Sequence, residues 1–174
     1  NNDYGTARSI LPPKISIPLL ELAKKNDTFP WLDYAYGYGL NNAVLVNKEN
    51  YKDYKCYKTV RTFNGHDSEE GFINVHVAMV AQSGALLQSQ QNCLQYIHEN
   101  NRTDFNHSLQ EHFSTFYNIV DTLQTMWKAS NFKDYLSFRT FIMGQIGNDK
   151  CYPKEEIIFN KGQEDNYEYE THAY

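Results

Sequence analysis

Tyr135 and Arg139 stand four residues apart in the aromatic stretch Phe132-Lys-Asp-Tyr-Leu-Ser-Phe-Arg-Thr-Phe-Ile-Met-Gly144. Four residues make about one helical turn, so a helix there sets the ring and the guanidinium on one face. A planar, permanently charged fork beside an aromatic ring suits a small ligand that has an apolar body and a carboxylate. The plainer alternative is an arginine solvated or paired at the surface. Phe72 and His76 repeat the spacing in a second apolar segment. An imidazole exchanges protons near neutral pH and can serve as hydrogen-bond partner or base. It can equally be a histidine pinned among core neighbours such as Val75 and Val77. His112 lies on an apolar stripe and reads as a core residue. Cys56, Cys93 and Cys151 are isolated, without the short spacing of a zinc site or a paired framework.

The elements that must carry these residues are helical. Pro18 to Lys25 places Pro in a first turn and lysines in a last, which predicts a short helix. Trp31 to Leu45 predicts an aromatic helix, with Gly37 and Gly39 permitting the close approach of something bulky. Asn47 to His66 is polar and patternless except for Lys58 to Phe63, whose alternation predicts a short strand, with Asn64-Gly65 as a turn. Asp67-Ser-Glu-Glu70 marks a helix start, and a long helix is expected from about Gly71 to Glu99, bent near Ser83-Gly84. Thr103 or Asp104 caps the next helix, whose stripe Phe105, Leu109, His112, Phe116, Val120, Leu123 and Trp127 steps by three and four. The helix from about Phe132 to Gly144 follows a short break at Ser130-Asn131, so these two are expected to pack antiparallel. The acidic, Tyr-rich tail after Gly162 is expected to be irregular. The resulting fold class is all-α, with at most a small strand pair.

Composition narrows the function. The chain has 174 residues, 41% of them hydrophobic and 15% aromatic, with 14 Tyr and 10 Phe, enough for one domain with a core and unlike a disordered segment. A formal net charge of -5 leaves no broad basic surface, so nucleic acid is excluded as an expected partner. No apolar run approaches the ~18 residues of a membrane helix. No secretory leader opens the chain. The odd cysteine count points to a reducing compartment, so a cytoplasmic protein is expected.

Several of these residues also carry a resemblance. Arg139-Thr-Phe-Ile-Met-Gly144, the turn Gly147-Asn-Asp149 and Glu156-Ile-Ile-Phe-Asn-Lys-Gly162 resemble the Arg-x-aromatic-aliphatic-x-Gly, Gly-Asn and aliphatic-aromatic-x-Gly run of the indoleamine 2,3-dioxygenase family. Leu11-Pro-Pro-Lys-Ile-Ser-Ile-Pro18 is similar to that family's Leu-Pro-x-x-Ile-x-x-Pro opening segment, and Gly71-Phe72 falls between the two matches. The resemblance covers nearly all of the chain but only the middle of a full-length member. It implies three parts: 1–66 as the small-domain end with an aromatic helix and loop, 67–162 as helices on the distal side of a large haem-pocket domain, and 163–174 as an irregular tail.

The resemblance also implies chemistry. The cofactor would be haem b and the substrates an indole and dioxygen, the protein acting as a haem-dependent dioxygenase of the indoleamine/tryptophan type. Phe72 would lie against the substrate ring with Tyr135, Arg139 would hold the carboxylate, Tyr34 would close the pocket from the other side, and His76 would sit on the distal side as catalytic residue. Animal members carry a serine at the position of His76, and a Cys-Val pair at that of Gly37-Tyr38. Asp134 stands where two consecutive aromatics are common in the family, and a carboxylate facing an indole is unfavourable unless paired or turned away. The family's proximal histidine lies in a C-terminal helical part after a Gly-Gly-Ser-rich segment, and neither has a counterpart here. No metal ligand is therefore expected in this chain. The gene is expected to continue past Tyr174, or a separate chain to supply those helices. The alternative is a non-catalytic homologue serving as a structural subunit of a larger assembly. A third reading is a helical interaction domain whose aromatic stripes are core.

Overall fold

A computed structural model describes residues 9–142 and the backbone of 157–160 and 166–169. Contacts gather the described residues into two units, Tyr38–Tyr135 on one hand and those before Tyr38 with those after Tyr135 on the other.

The second of these units holds a mixed sheet and a helix. Strand β1 (Ile10–Leu11) leads through Pro12 into helix α1 (Pro13–Asn26), which starts five residues earlier than expected. Pro13 takes the first helical position, where its missing N–H costs nothing, and Pro18 falls inside the helix. Asp27 ends α1 in the left-handed region at φ 52°, its N–H returning to the Ala23 carbonyl, below Lys24 and Lys25 in the last turn.

The aromatic helix expected over Trp31 to Leu45 is not there. Tyr34–Gly39 forms a single wide π turn, Leu40–Asn42 a single 3-10 turn, and Ala43–Leu45 is strand β2. Two glycines within three residues withdraw the helical preference that a regular turn needs, and Asp33 supports the wide one by accepting from the Tyr36 N–H at 2.7 Å. Gly37 does not enforce a close approach, because a Cβ there would meet Leu32 at an ordinary 3.6 Å.

Strand β3 (Tyr57–Thr59) begins one residue before the expected strand and pairs antiparallel with β2, Ala43 opposite Thr59 and Leu45 opposite Tyr57. The hairpin thus spans 43–59. The Tyr57 hydroxyl donates to the Tyr51 carbonyl at 2.7 Å, and burial, reinforced by Cys56 and Tyr51, raises its pKa above the ordinary 10.0.

Helix α2 (Asp67–Val80) opens on Asp67, Glu69 and Glu70, as its dipole favours. The chain breaks at Ala81-Gln82 before helix α3 (Ser83–His98), so the single long helix is two. Gln82 holds the break by donating to the Ala78 carbonyl and, at 2.8 Å, to the Thr122 hydroxyl. Asn100, at φ 55°, turns the chain, and Asn101 caps helix α4 (Arg102–Gln124) by accepting from the Asp104 N–H, a role expected of Thr103 or Asp104.

Helix α4 folds back on α3, and this pairing is the most extensive between helices. Its seam is polar: Ser89, Ser108 and Thr122 are buried, and the Ser89 hydroxyl lies 3.1 Å from His112 Nδ1. The apolar stripe expected to face the core does not do so, since Leu109, Phe116 and Leu123 remain 37%, 50% and 43% exposed. Small polar side chains let the backbones approach and took the seam, leaving the apolar row beside it. A short helix α5 (Met126–Ala129) then intervenes before helix α6 (Phe132–Ile142), and α3, not α6, is the main partner of α4.

The close approach that a glycine enforces lies at Gly71 of α2. A Cβ there would stand 2.0 Å from the Ala129 carbonyl oxygen and overlap the backbone of α5. Gly71→Ala is expected to cost on the order of 2–3 kcal/mol through this overpacking, read as a lower urea midpoint at unchanged slope. An unchanged midpoint would show α5 giving way freely.

Strand β4 (Ile157–Asn160) pairs parallel with β1 and antiparallel with strand β5 (Asn166–Tyr169), with Ile157 opposite Tyr169. The tail expected to be irregular therefore contributes a strand. The fold class is nonetheless all-α, and the β2–β3 pair is the small strand pair expected. The mixed sheet is an addition, because β1 and β4 are far apart in sequence and neither shows a run long enough to read as a strand. No helix of the described residues is long and apolar enough to cross a membrane. Gly144, the Gly147-Asn-Asp149 turn, Cys151, Gly162 and His172 lie outside the described residues.

Candidate functional site

The first turns of α2 organise the unit that holds most of the expected site. Glu69 is fully buried, and its carboxylate is an acceptor at both oxygens. Oε1 accepts from the Tyr38 hydroxyl at 3.1 Å and the Phe63 N–H at 2.8 Å, and Oε2 from the Asn64 N–H at 3.0 Å. The next residue, Glu70, accepts from the Thr59 N–H, and one turn beyond it Asn74 donates to the Tyr57 carbonyl while accepting from the Thr59 hydroxyl. The strand pair and the 61–66 loop are thus tied to one face of α2 by directed bonds. Phe72 and His76 follow Glu69 by three and seven residues along the same helix.

The ring centroids of Phe72 and His76 are 4.6 Å apart and those of Phe72 and Tyr135 5.2 Å, with interplanar angles of 56° and 43°. Such tilted contacts suit the aromatic quadrupole. All three side chains are half-buried. His76 Nδ1 lies 2.9 Å from the Phe72 carbonyl oxygen, four residues before it on the helix. A carbonyl only accepts, so Nδ1 carries a proton in this bond and the neutral ring keeps its lone pair at Nε2. The tautomer and the ring plane are thereby fixed by the backbone.

Asp134, the departure from paired aromatics, has a structural account. Its carboxylate accepts from the Ser68 hydroxyl at 2.7 Å, and the same Ser68 oxygen accepts from the Asn131 N–H at 3.1 Å. The start of α6 is thereby fastened to the first turn of α2, which brings Tyr135 to Phe72. A carboxylate held in this way needs no indole as neighbour.

Tyr34 and Arg139 belong to the other unit. Arg139 stands one turn beyond Tyr135 along α6, is exposed, and makes no ion pair among the described residues. Tyr34 opens the π turn and is 37% exposed. Of the five expected site residues, the structure therefore groups Phe72, His76 and Tyr135. Sequence reasoning missed Ser68, Glu69 and Asn74. Their signal was present only as an acidic helix start, which reads identically whether the acids are solvated or buried.

Neither remaining candidate draws these residues in. His112 is half-buried at the α3–α4 seam, where Ser89 donates to the Leu86 carbonyl and so accepts from His112 Nδ1. On the polar side of that hairpin lies an open groove of about 600 Å³, bordered by Gln88, Asn92, His107 and Glu111 and remote in sequence from Phe72. Among the described residues, no group of three His, Cys, Asp or Glu side chains is placed to hold a metal ion.

Two comparisons with known proteins bear on this arrangement. A family model described as indoleamine 2,3-dioxygenase matches residues 2–173. No curated protein matches the chain.

Proposed function

The chain belongs to the indoleamine 2,3-dioxygenase family, and from that premise we propose that it serves, as a cytoplasmic haem b protein, the opening of an indole ring of tryptophan type by dioxygen. The observation that carries this reading is the Phe72–His76–Tyr135 group: two tilted rings and one imidazole of fixed tautomer on a single half-buried ledge.

This ledge fits one face of a haem site, being aromatic and supplied with a single imidazole. It does not supply the axial attachment. Among the described histidines, His112 is engaged with Ser89, His107 pairs with Glu111 at the surface, and His66 and His98 are exposed. The axial histidine is sought outside the described residues. Haem, when bound, supplies the dioxygen chemistry, and the protein orients and binds. Phe72 and Tyr135, whose rings meet at 5.2 Å, present one wall to the indole ring, and the roles that the family resemblance implies for Tyr34 and Arg139 are closing the pocket and pairing with the carboxylate. His76, donating from Nδ1 to the Phe72 carbonyl, meets the indole N–H with Nε2 as hydrogen-bond acceptor and base.

Two measurements test this. Protein isolated from its native source is expected to show a Soret band and to consume dioxygen with an indole substrate; lack of both after addition of haem would end the reading. His76→Ala is expected to lower turnover of tryptophan by roughly 10- to 100-fold, and to lower that of a 1-methylindole analogue, which has no N–H to offer, far less. A loss of several kcal/mol in stability with unchanged haem spectra would make His76 a core residue instead.

The absence of an axial histidine among the described residues favours one other reading, that of a non-catalytic homologue acting as a subunit of a larger assembly. A native protein that lacks haem yet copurifies with a stoichiometric partner would establish it.

A further inference from the structure

Asn64-Gly65 is the single Asn-Gly pair of the sequence, and it lies in the loop that Glu69 holds against α2. In such a pair the glycine nitrogen can attack the side-chain carbonyl carbon of the asparagine, because no Cβ on the following residue obstructs the approach. Three features of this loop favour that attack. Gly65 takes φ 74°, and a Cβ on it would meet nothing within 4 Å, so the face where a side chain would stand is open. The Asn64 side-chain oxygen Oδ1 accepts from the His66 N–H at 2.9 Å. That bond folds the amide back over the Gly65 peptide and sets a donor where negative charge develops on the attacked carbonyl. The Gly65 N–H donates to the Thr62 hydroxyl oxygen at 3.1 Å, so an acceptor already faces the proton that the attacking nitrogen must lose.

We propose that Asn64 is a site of self-modification, at which the chain converts this asparagine to isoaspartate and aspartate and thereby unlatches its own 61–66 loop. The Gly65 nitrogen bonds to Asn64 Cγ, its proton and the side-chain NH2 leave together as ammonia, and a cyclic imide remains. Water then opens the imide at one of its two carbonyls. Opening at Cγ leaves aspartate. Opening at the backbone carbonyl routes the chain through Cγ as isoaspartate and frees the former backbone carbonyl as a carboxylate. No oxidant, reductant or second protein takes part, and neither haem nor substrate is involved, so the reaction stands apart from the dioxygenase reading. The isoaspartate inserts a methylene, about 1.5 Å of chain, after the Asn64 N–H. Just before that point the Phe63 and Asn64 N–H groups satisfy the buried Glu69 carboxylate, and just after it His66 leads into α2. A longer connection between these ends gives up at least one of the bonds to Glu69. Both products also bring a further negative charge to a loop that supplies donors to a buried carboxylate.

The purified protein, held for days at body temperature and neutral pH, is expected to release ammonia as Asn64 converts. Fragment-ion mass spectrometry of the tryptic peptide from Thr62 to Arg102, with isoaspartate-specific methylation, is expected to place isoaspartate at position 64 before any other asparagine of that peptide changes. The converted protein, separated by its added charge, is expected to unfold at a lower urea midpoint with an unchanged slope. Asn64→Gln, whose carbonyl carbon lies one bond further from the Gly65 nitrogen, is expected to show neither the conversion nor the fall in midpoint. Because the site is located in the unsubstituted chain, the test holds even if that variant fails to fold. An Asn64 that stays intact overturns the proposal. So does complete conversion at position 64 with an unchanged midpoint, since the 61–66 loop would then still be latched to α2.

Discussion

Arg139→Ala, in the complete haem-loaded protein, is expected to weaken binding of tryptophan-like amino acids by roughly 30-fold to several-thousand-fold, the equivalent of about 2–5 kcal/mol. A carboxylate taken into an aromatic pocket must be paired there, and a guanidinium pairs it through two parallel hydrogen bonds. Arg139→Lys is expected to fail nearly as badly, because an ammonium is a point charge that cannot reproduce the fork. Tryptamine, which has the indole ring but no carboxylate, should be affected much less by either change. Binding measured for both ligands in both variants separates the roles. Equal losses for the two ligands would make Arg139 a support of the fold. The structure already narrows that outcome, since Asp134, the nearest acid along α6, is held by Ser68, and Arg139 is exposed without an ion pair among the described residues. Undiminished binding of both ligands would remove it from the site.

Why Tyr135 and Arg139 were legible in the sequence, and Ser68 was not, follows from the range of the interactions. A four-residue spacing is a property of one helix, and α6 forms where the apolar pattern requires it. Phe72 and His76 are legible for the same reason. That the two helices meet at Phe72 and Tyr135 depends on Ser68 bonding to Asn131 and Asp134 across more than sixty residues of chain, and no periodicity encodes such a partner. The sequence pointed to Asp134 as an anomaly and could not say what paired it.

The misread elements have a related cause. Trp31 to Leu45 carries helical spacing of aromatics, but spacing is weak where glycines withdraw backbone preference, and pairing with Tyr57–Thr59 decided the outcome at Ala43–Leu45. The α4 stripe was the clearest periodic signal, and its period is right: the residues do form a helix with one apolar row. What periodicity cannot supply is which row meets the neighbour. His112 and Thr122 took the seam because Ser89 on α3 and Gln82 in the 81–82 break bond to them, and the small Ser108 is buried with them. The apolar row was left exposed.

The second large effect is expected at Glu69, where removal of one carboxylate tests how the ledge is held. Glu69→Ala deprives the Tyr38 hydroxyl and the Phe63 and Asn64 N–H groups of their acceptor in a buried site, and leaves a cavity. A loss on the order of 3–5 kcal/mol in unfolding free energy is expected, since each buried donor left unsatisfied costs about 1–3 kcal/mol and relaxation recovers part. Glu69→Gln is the sharper test, because it keeps the volume and changes only the polarity of one terminal atom. A backbone N–H approaches each oxygen, so whichever way the amide is turned its NH2 faces a donor that cannot reorient. The expected cost is on the order of 2 kcal/mol. Tyr38→Phe removes a donor that has less at stake and is expected to cost nearer 1 kcal/mol. Should Glu69→Gln unfold within error of the parent protein, the carboxylate is not holding the 61–66 loop against α2. If instead the order Ala, Gln, Tyr38→Phe is observed, α2 is clamped one turn before Phe72, and the ledge owes its geometry in part to the buried carboxylate of Glu69.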